Sequence, residues 1–422
     1  MTVGEPQQYR ITPAHRLRRM AGRDPHETHR VATPLELLFD LTFVVAFDIA
    51  ASQLAHMLAE GHAGPGLAAF GFATFAICWA WINFSWFASA YDTDDWIYRL
   101  LTMLQMVGVL VLALGLPQVY TSIEHGERVD NEVMVAGYVV MRIALVIQWL
   151  RAARQDPERR STCLTYAAFI VVAQIGWIVQ IVMHTSVGVF AVTGLLLIMV
   201  EFAGPYLVET RRGSTPWHPH HIAERYGLLV IIALGEGVVG TVASISAVVA
   251  DSGWSADAVL VAVAGTGLTF GMWWMYFLIP AGELLHAHPD RSFRYGYWHI
   301  VVFGAIVATG AGMHAAAYYI ERHSELGPVE TVLTVASPVG LFIAGVYLIY
   351  SLLVAAFDAL AAVSLAASAA VLGVAVWLAA GGVDMAACLL VVMLAPLVTV
   401  IGYESVGHRR VTATIAAQLA ES

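Results

Sequence analysis

Residues 33–56, TPLELLFDLTFVVAFDIAASQLAH, are long enough to cross a bilayer, yet they carry three carboxylates, Glu36, Asp40 and Asp48. A charge near the bilayer centre costs at least ~2.5 kcal/mol on insertion scales, so such groups are rare and face a bundle interior or a polar pathway. A second stretch, residues 221–244, reads HIAERYGLLVIIALGEGVVGTVAS. Setting Glu224 against Glu36 brings Glu236 against Asp48, because both pairs are twelve residues apart. The matched spacing marks a duplicated chain with one acidic helix in each half.

Composition puts the rest of the chain in the same environment. Of 422 residues, 59% are hydrophobic and 12% charged, against about 25% charged in a soluble chain. The mean hydropathy is +0.71. Twelve apolar runs are long enough for ~30 Å of hydrocarbon. The first six are 35–58, 66–90, 99–117, 132–150, 162–184 and 186–208. The second six are 223–249, 256–280, 296–320, 331–355, 357–380 and 384–402. The expected fold class is all-α, a polytopic helical membrane protein of about twelve transmembrane helices in contact with the lipid bilayer.

All 21 basic residues are Arg. Eighteen lie in the N-terminal tail or in the alternate loops on its side, while the opposite loops hold only Arg128 and Arg322, and Arg142 lies within a span. The positive-inside rule then predicts cytoplasmic termini and a place in the cell inner (plasma) membrane. The tail, with Arg10, Arg16, Arg18, Arg19, Arg23 and Arg30, is expected to be flexible up to the first helix.

Further marks repeat. The Trp-rich second and eighth spans each lead to an Asp-x3-Arg, Asp95/Arg99 and Asp290/Arg294, and Pro205 and Pro396 each precede an Arg pair. Equivalent positions lie six spans apart, an even number, so the two six-helix repeats are expected to be parallel. The predicted organisation is a cytoplasmic basic tail 1–32, a first repeat 33–212, a second repeat 213–410 and a C-terminal tail 411–422. Transporters built from repeats commonly place their sites at the repeat interface.

Several residues are candidates for an ion or substrate pathway. Glu36, Asp40 and Asp48 with Glu224 and Glu236 form a ladder suited to protons or cations, or else each pairs structurally with a neighbouring Arg or amide. Arg142 requires an acidic partner, since an unpaired buried charge is strongly unfavourable; Asp40, Asp48, Glu201 and Glu236 are the choices. His299 and His314 titrate near neutrality. Asp358 and Glu404 are further charges at span ends. His218, His220, His221 and Glu224 cluster in WHPHHIAE; these are ligand types for zinc or iron, though helix-entry capping is the plainer reading. Cys78, Cys163 and Cys388 show no CxxC spacing. No h-region of a cleavable signal precedes the first span. There is no Walker lysine, GxSxG or GxGxxG, so no catalytic residue, metal, cofactor or nucleic acid is expected.

TPLELLFDLTFVVAF, HIAERYGLLVIIALGEGVV, the Trp-rich second span and GYWHIVVFGAIVATGAG together resemble the low temperature requirement A (LtrA) family of bacterial membrane proteins, from about residue 31 to 410. The resemblance implies a membrane location and no defined activity. Phe39-Asp40 in a first helix is also similar to potassium channels with an Arg-Phe-Ser-Asp signature; here Leu37 and Leu38 precede Phe39, and the Arg and Ser are missing. Three functions follow as expectations: a transporter or channel for protons, cations or a small solute along the first and seventh helices; a non-catalytic scaffold or sensor; or a membrane-embedded enzyme with a cytoplasmic His/Glu site. For the first, Asp48 and Glu236 are expected to face one shared polar cavity.

Overall fold

A computed structural model describes residues 17–25, 27, 30–126, 128–355, 359–409, 412 and 416. Arg10, Arg16, Asp358, Arg410 and most of the C-terminal tail lie outside the described residues. The helices are α1 Pro34–Ala59, α2 Ala63–Tyr91, α3 Trp96–His125, α4 Glu132–Gln155, α5 Arg160–Val182, α6 Val187–Arg211, α7 Pro219–Ser252, α8 Ala256–Phe277, α9 Ala281–Ala287, α10 Ser292–Ile320, α11 Pro328–Val354, α12 Ala359–Ala380 and α13 Met385–Gly402. Apart from α9, with 7 residues, each has 18 or more. Eleven of these long helices are apolar enough to cross a membrane. The twelfth, α1, is long enough at 26 residues but carries the three acids. The protein is a multi-pass helical membrane protein.

Local chemistry explains where the helices start. Thr33 accepts a hydrogen bond from Glu36 N while the Glu36 side chain accepts one from Thr33 N, with Pro34 in the first turn. This reciprocal cap satisfies two otherwise orphaned amides. Asp95 caps α3 through Tyr98 N, and Gly126 ends it in the left-handed conformation at φ 76°. His218 caps α7 ahead of Pro219.

The apolar residues left exposed, among them Leu110, Leu114, Val172, Ile175, Leu195, Leu196 and Trp377, lie on the outer helices. That surface suits hydrocarbon. Between helices the driving force is close packing rather than water exclusion, and small residues permit it. On α4, a Cβ at Gly137 would lie 2.3 Å from Leu112 N, so α3 and α4 touch backbone to backbone. The corresponding pair α10 and α11 does the same, since a Cβ at Gly312 would lie 2.3 Å from Thr334 O. The close pairings α1–α2, α1–α3, α3–α4, α4–α5 and α5–α6 recur as α7–α8, α7–α10, α10–α11, α11–α12 and α12–α13. Across the halves, α1 and α2 lie against α7 and α10.

The two ends of the bundle differ. At the Arg-rich end the described part of the tail is folded onto the loops rather than free. Met20 is fully buried, Arg18 N donates to Asp95, Met20 N to Gln155 Oε1 and Arg23 N to Ala90 O. Arg151 grips Asp95 with both guanidinium nitrogens, Nη1 at 2.9 Å. At the opposite end, Glu325 N and Ser324 Oγ donate to Ala59 O.

Candidate functional site

The α1–α7 interface holds three layers. At the Arg-rich end, two side-chain pairs with helical i, i+4 spacing face each other, Glu36 and Asp40 on α1, His221 and Arg225 on α7. Arg225 reaches Glu36 at 3.0 Å and Asp40 at 2.6 Å, and His221 Nε2 lies 3.0 Å from the same Glu36 oxygen. All four side chains are 0% exposed. Trp81 Nε1 donates to Asp40 at 2.6 Å. The second Glu36 oxygen is used by the Thr33 cap, so this one residue fixes both the start of α1 and its tie to α7. Arg30 extends the network outward, 3.3 Å from Glu36 and 3.6 Å from Asp92, and Arg23 approaches Asp92 to 3.9 Å. Burial, with the charge of Glu36, pushes the Asp92 carboxyl up to about 6 against the pull of Arg30. Glu224 stands beside this network, half-buried, accepting from Ala32 N at 3.2 Å.

The middle layer is aromatic. Phe39 and Phe84 have ring centroids 3.9 Å apart; Trp81 and Tyr226 meet edge to face at 4.9 Å, and both touch Phe303. Phe43 and Phe47 continue the layer along α1, each 1% exposed. The rings pack on one another here, and the indole N–H of Trp81 is committed to Asp40.

Beyond it lies the third layer. Glu236 is 2% exposed, and its Oε2 makes no hydrogen bond. Asp48, on the α1 helix that packs against α7, is exposed. The two carboxylates expected to share a site thus differ in accessibility, one open and one enclosed.

The remaining candidates sit elsewhere. Arg142 pairs with Glu201 at 3.0 Å, both nearly buried; Trp79 Nε1 donates to the same Glu201 oxygen at 2.7 Å, and Tyr138 lies beneath the guanidinium at 4.9 Å. This pair joins α4 to α6 and α2, away from α7. His299 is 0% exposed, with Nδ1 2.7 Å from Tyr295 O and Nε2 2.9 Å from Tyr276 Oη. Since Nδ1 faces a carbonyl it carries the proton, so Nε2 accepts from Tyr276. His299 edges a cavity of about 160 Å³ bounded by Gly227, Phe277, Gly282 and Ile349.

The histidine entry to α7 is closed. His218 accepts from His221 N, its Nε2 lies 2.7 Å from Glu27 O, and burial pushes its imidazole below the ordinary value. His220 stacks toward His286 at 5.5 Å. Among the described residues, the group of three whose ligating atoms converge within 4.8 Å is instead Glu60, His62 and Glu124 at the opposite end.

The arginine asymmetry counts Arg225 and Arg30 only as topology signals, and the Trp-rich spans stand only as marks of the repeat. The available clue was spacing: His221-x3-Arg225 offers cationic groups at the same interval as Glu36-x3-Asp40.

Residues 31–396 match the family model of the bacterial low temperature requirement A protein (LtrA). An uncharacterized protein of Rhizobium meliloti (strain 1021) is 26% identical over 325 residues, which cover 74% of this chain and 75% of that protein.

Proposed function

The chain belongs to the bacterial low temperature requirement A family, and on that footing we propose that it is a transporter or channel moving protons, cations or a small solute along the α1–α7 interface. The observation that carries this reading is Glu236, a buried carboxylate with an unpartnered oxygen, on a helix packed against the one that bears the exposed Asp48. Such a group is costly in a low-dielectric interior unless it holds a proton or a cation. Asp48 supplies access, because an exposed charge at membrane depth requires water or a polar pathway. The aromatic layer and the Arg225 network close the other side, so the arrangement suits alternating access, with the site reached from the end remote from the Arg-rich loops. In this reading the Arg-rich end and both termini face the cytoplasm, and the membrane is the cell inner membrane.

The experiment is flux in proteoliposomes with protons and monovalent cations as probes, comparing wild type with Glu236→Gln and Asp48→Asn. Flux that both amides abolish while the protein stays folded supports the pathway; wild-type rates in both variants overturn it. A scaffold or sensor reading draws on the ion pairs of Arg225 with Glu36 and Asp40 and of Arg142 with Glu201, which need no transported species. It gains if purified wild type moves none of the probes.

A further inference from the structure

Glu236 meets α10 at a glycine. A Cβ on Gly310 would lie 2.8 Å from Glu236 Cβ, C and O, and one on Gly240, a turn further along α7, would lie 2.6 Å from Gly310 O. The backbones of α7 and α10 are therefore in contact at the level of Glu236. His314 lies four residues beyond Gly310, one turn along the same face of α10. It is half-buried, and α1, which carries the exposed Asp48, packs against both α7 and α10. Three titratable groups on three helices thus form a set graded from exposed Asp48 through His314 to buried Glu236.

The other elements packed here carry their charges near their ends: α3, against α1, has Arg99 in its first turn and Glu124 and His125 in its last, and His56 near the end of α1 lies 3.4 Å from Glu60. α2 has no Asp, Glu, His or Arg along its length, and α8 has only Asp257, in its first turn. On α1 the next acid, Asp40, is held by Arg225 and Trp81 behind the aromatic layer. On α10 the other histidine, His299, is tied to Tyr276 and Tyr295. On α11 the acid is Glu330, in the first turn.

This set is poorly built for a metal cation. Hard cations take about six or more oxygens, and zinc about four ligands at ~2.0–2.3 Å. Membrane sites for such ions draw on carbonyls freed by broken helices. Here α1, α7 and α10 run unbroken past the site, so their carbonyls stay within the helices. Among the described residues, the ligating atoms of Asp48, Glu236 and His314 do not converge within 4.8 Å. A proton needs only one acceptor at a time, and an imidazole gains and loses it near neutral pH.

Resting on the transport reading above, we infer that Asp48, His314 and Glu236 form a proton-exchange site, with His314 as the relay and the proton as the coupling ion. A proton leaves water for the Asp48 carboxylate and passes, through intervening water, to an imidazole nitrogen of His314 and on to the Glu236 carboxylate. Each step frees the acceptor before it, and no other bond changes.

The test is pH-difference infrared spectroscopy on the full chain in lipid nanodiscs, run beside the proteoliposome flux assay. Expected are a protonated-carboxyl band that titrates in wild type, its loss in Glu236→Gln, and a shift of its midpoint by roughly one pH unit in His314→Gln, the size a neighbouring charge imposes. A wild-type carboxyl band that does not titrate overturns the inference, as does a midpoint indifferent to His314→Gln. Rubidium or sodium flux with no proton movement overturns it too, while leaving the α1–α7 pathway standing. A titrating, His314-dependent band in a protein that moves no ion supports the exchange site and sinks the transport reading instead. Because the band is read in wild type first, misfolding of a variant does not remove the test.

Discussion

Arg225 holds two carboxylates with no access to water, and that makes it the most consequential single residue at the Arg-rich end. Removing one partner of a buried pair leaves an uncompensated charge, which costs about 3–5 kcal/mol, whereas replacing the whole set by apolar or neutral groups can be nearly neutral. Arg225→Gln is therefore expected to lower the unfolding midpoint strongly in detergent, and the triple variant Glu36→Gln, Asp40→Asn, Arg225→Met to recover much of it; a single variant as stable as wild type would show that the network is not the tie between α1 and α7. Asp92 gives a pH prediction with a definite sign. Its folded value, about 6, lies above its ordinary 3.8. The folded state then binds the proton more tightly, so this group's stabilisation is full below about 4 and is lost as pH rises through 6. Two units correspond to about 3 kcal/mol at most. Denaturation of wild type minus that of Asp92→Asn, followed from pH 4 to 7, should fall with rising pH, and a flat difference would show that Arg30 and Arg23 offset the burial of Asp92.

Helix contacts in this bundle depend on where a side chain is missing, and glycine substitutions separate two cases. Gly137 of α4 has no room for a methyl, while nothing lies within 4 Å of a Cβ on Gly71 of α2. Gly137→Ala should push α3 and α4 apart, costing about 1–3 kcal/mol as overpacking does. Gly71→Ala should stabilise by up to about 1 kcal/mol, because the flexible residue is replaced where there is space; paired thermal scans read both. This scale also shows what a sequence can reveal. Apolar length made the spans legible, since each helix had to satisfy its own backbone in hydrocarbon. The acids of α1 and α7 stood out because charge is rare at that depth. Their partners did not, because Arg225 pairs across helices, and the matched spacing of His221/Arg225 with Glu36/Asp40 becomes a clue only once α1 is known to lie against α7. The opposite exposure of Asp48 and Glu236 escaped for the same reason: it depends on the contact of α7 with Gly310, a residue seventy-four positions from Glu236. The folded tail escaped because its polar composition hides the buried Met20 and Arg30.

At the scale of the molecule, the repeat holds within each half more closely than between them. Equivalent helix pairs recur in the two halves, yet α1 packs on α10 far more extensively than α7 packs on α3. A strict two-fold axis along the membrane normal would make those contacts equal. The two halves therefore do not meet symmetrically: α1 and α2 pack against α7 and α10, with Arg225 and Glu36 as an ion pair across that seam. Orientation can be measured directly. Cys78, Cys163 and Cys388 are all buried, so an introduced surface cysteine reports alone. Glu158 at the Arg-rich end and His323 at the opposite end have side chains 86% and 75% exposed. In intact bacterial cells with a permeable outer layer, a membrane-impermeant maleimide is expected to label His323→Cys and to spare Glu158→Cys until the inner membrane is opened, as the arginine asymmetry requires. The reverse pattern would put the termini outside and turn the Asp48 side of the site toward the cytoplasm. The same labels then test movement. If α1 and α2 swing against α7 and α10 during proton exchange, a cysteine placed at Tyr226, buried among Trp81 and Phe303, should become reactive from the Arg-rich end in Arg225→Gln and remain closed in wild type at rest. Equal protection in both would mean that the aromatic layer, and not the ion pair, keeps that end shut.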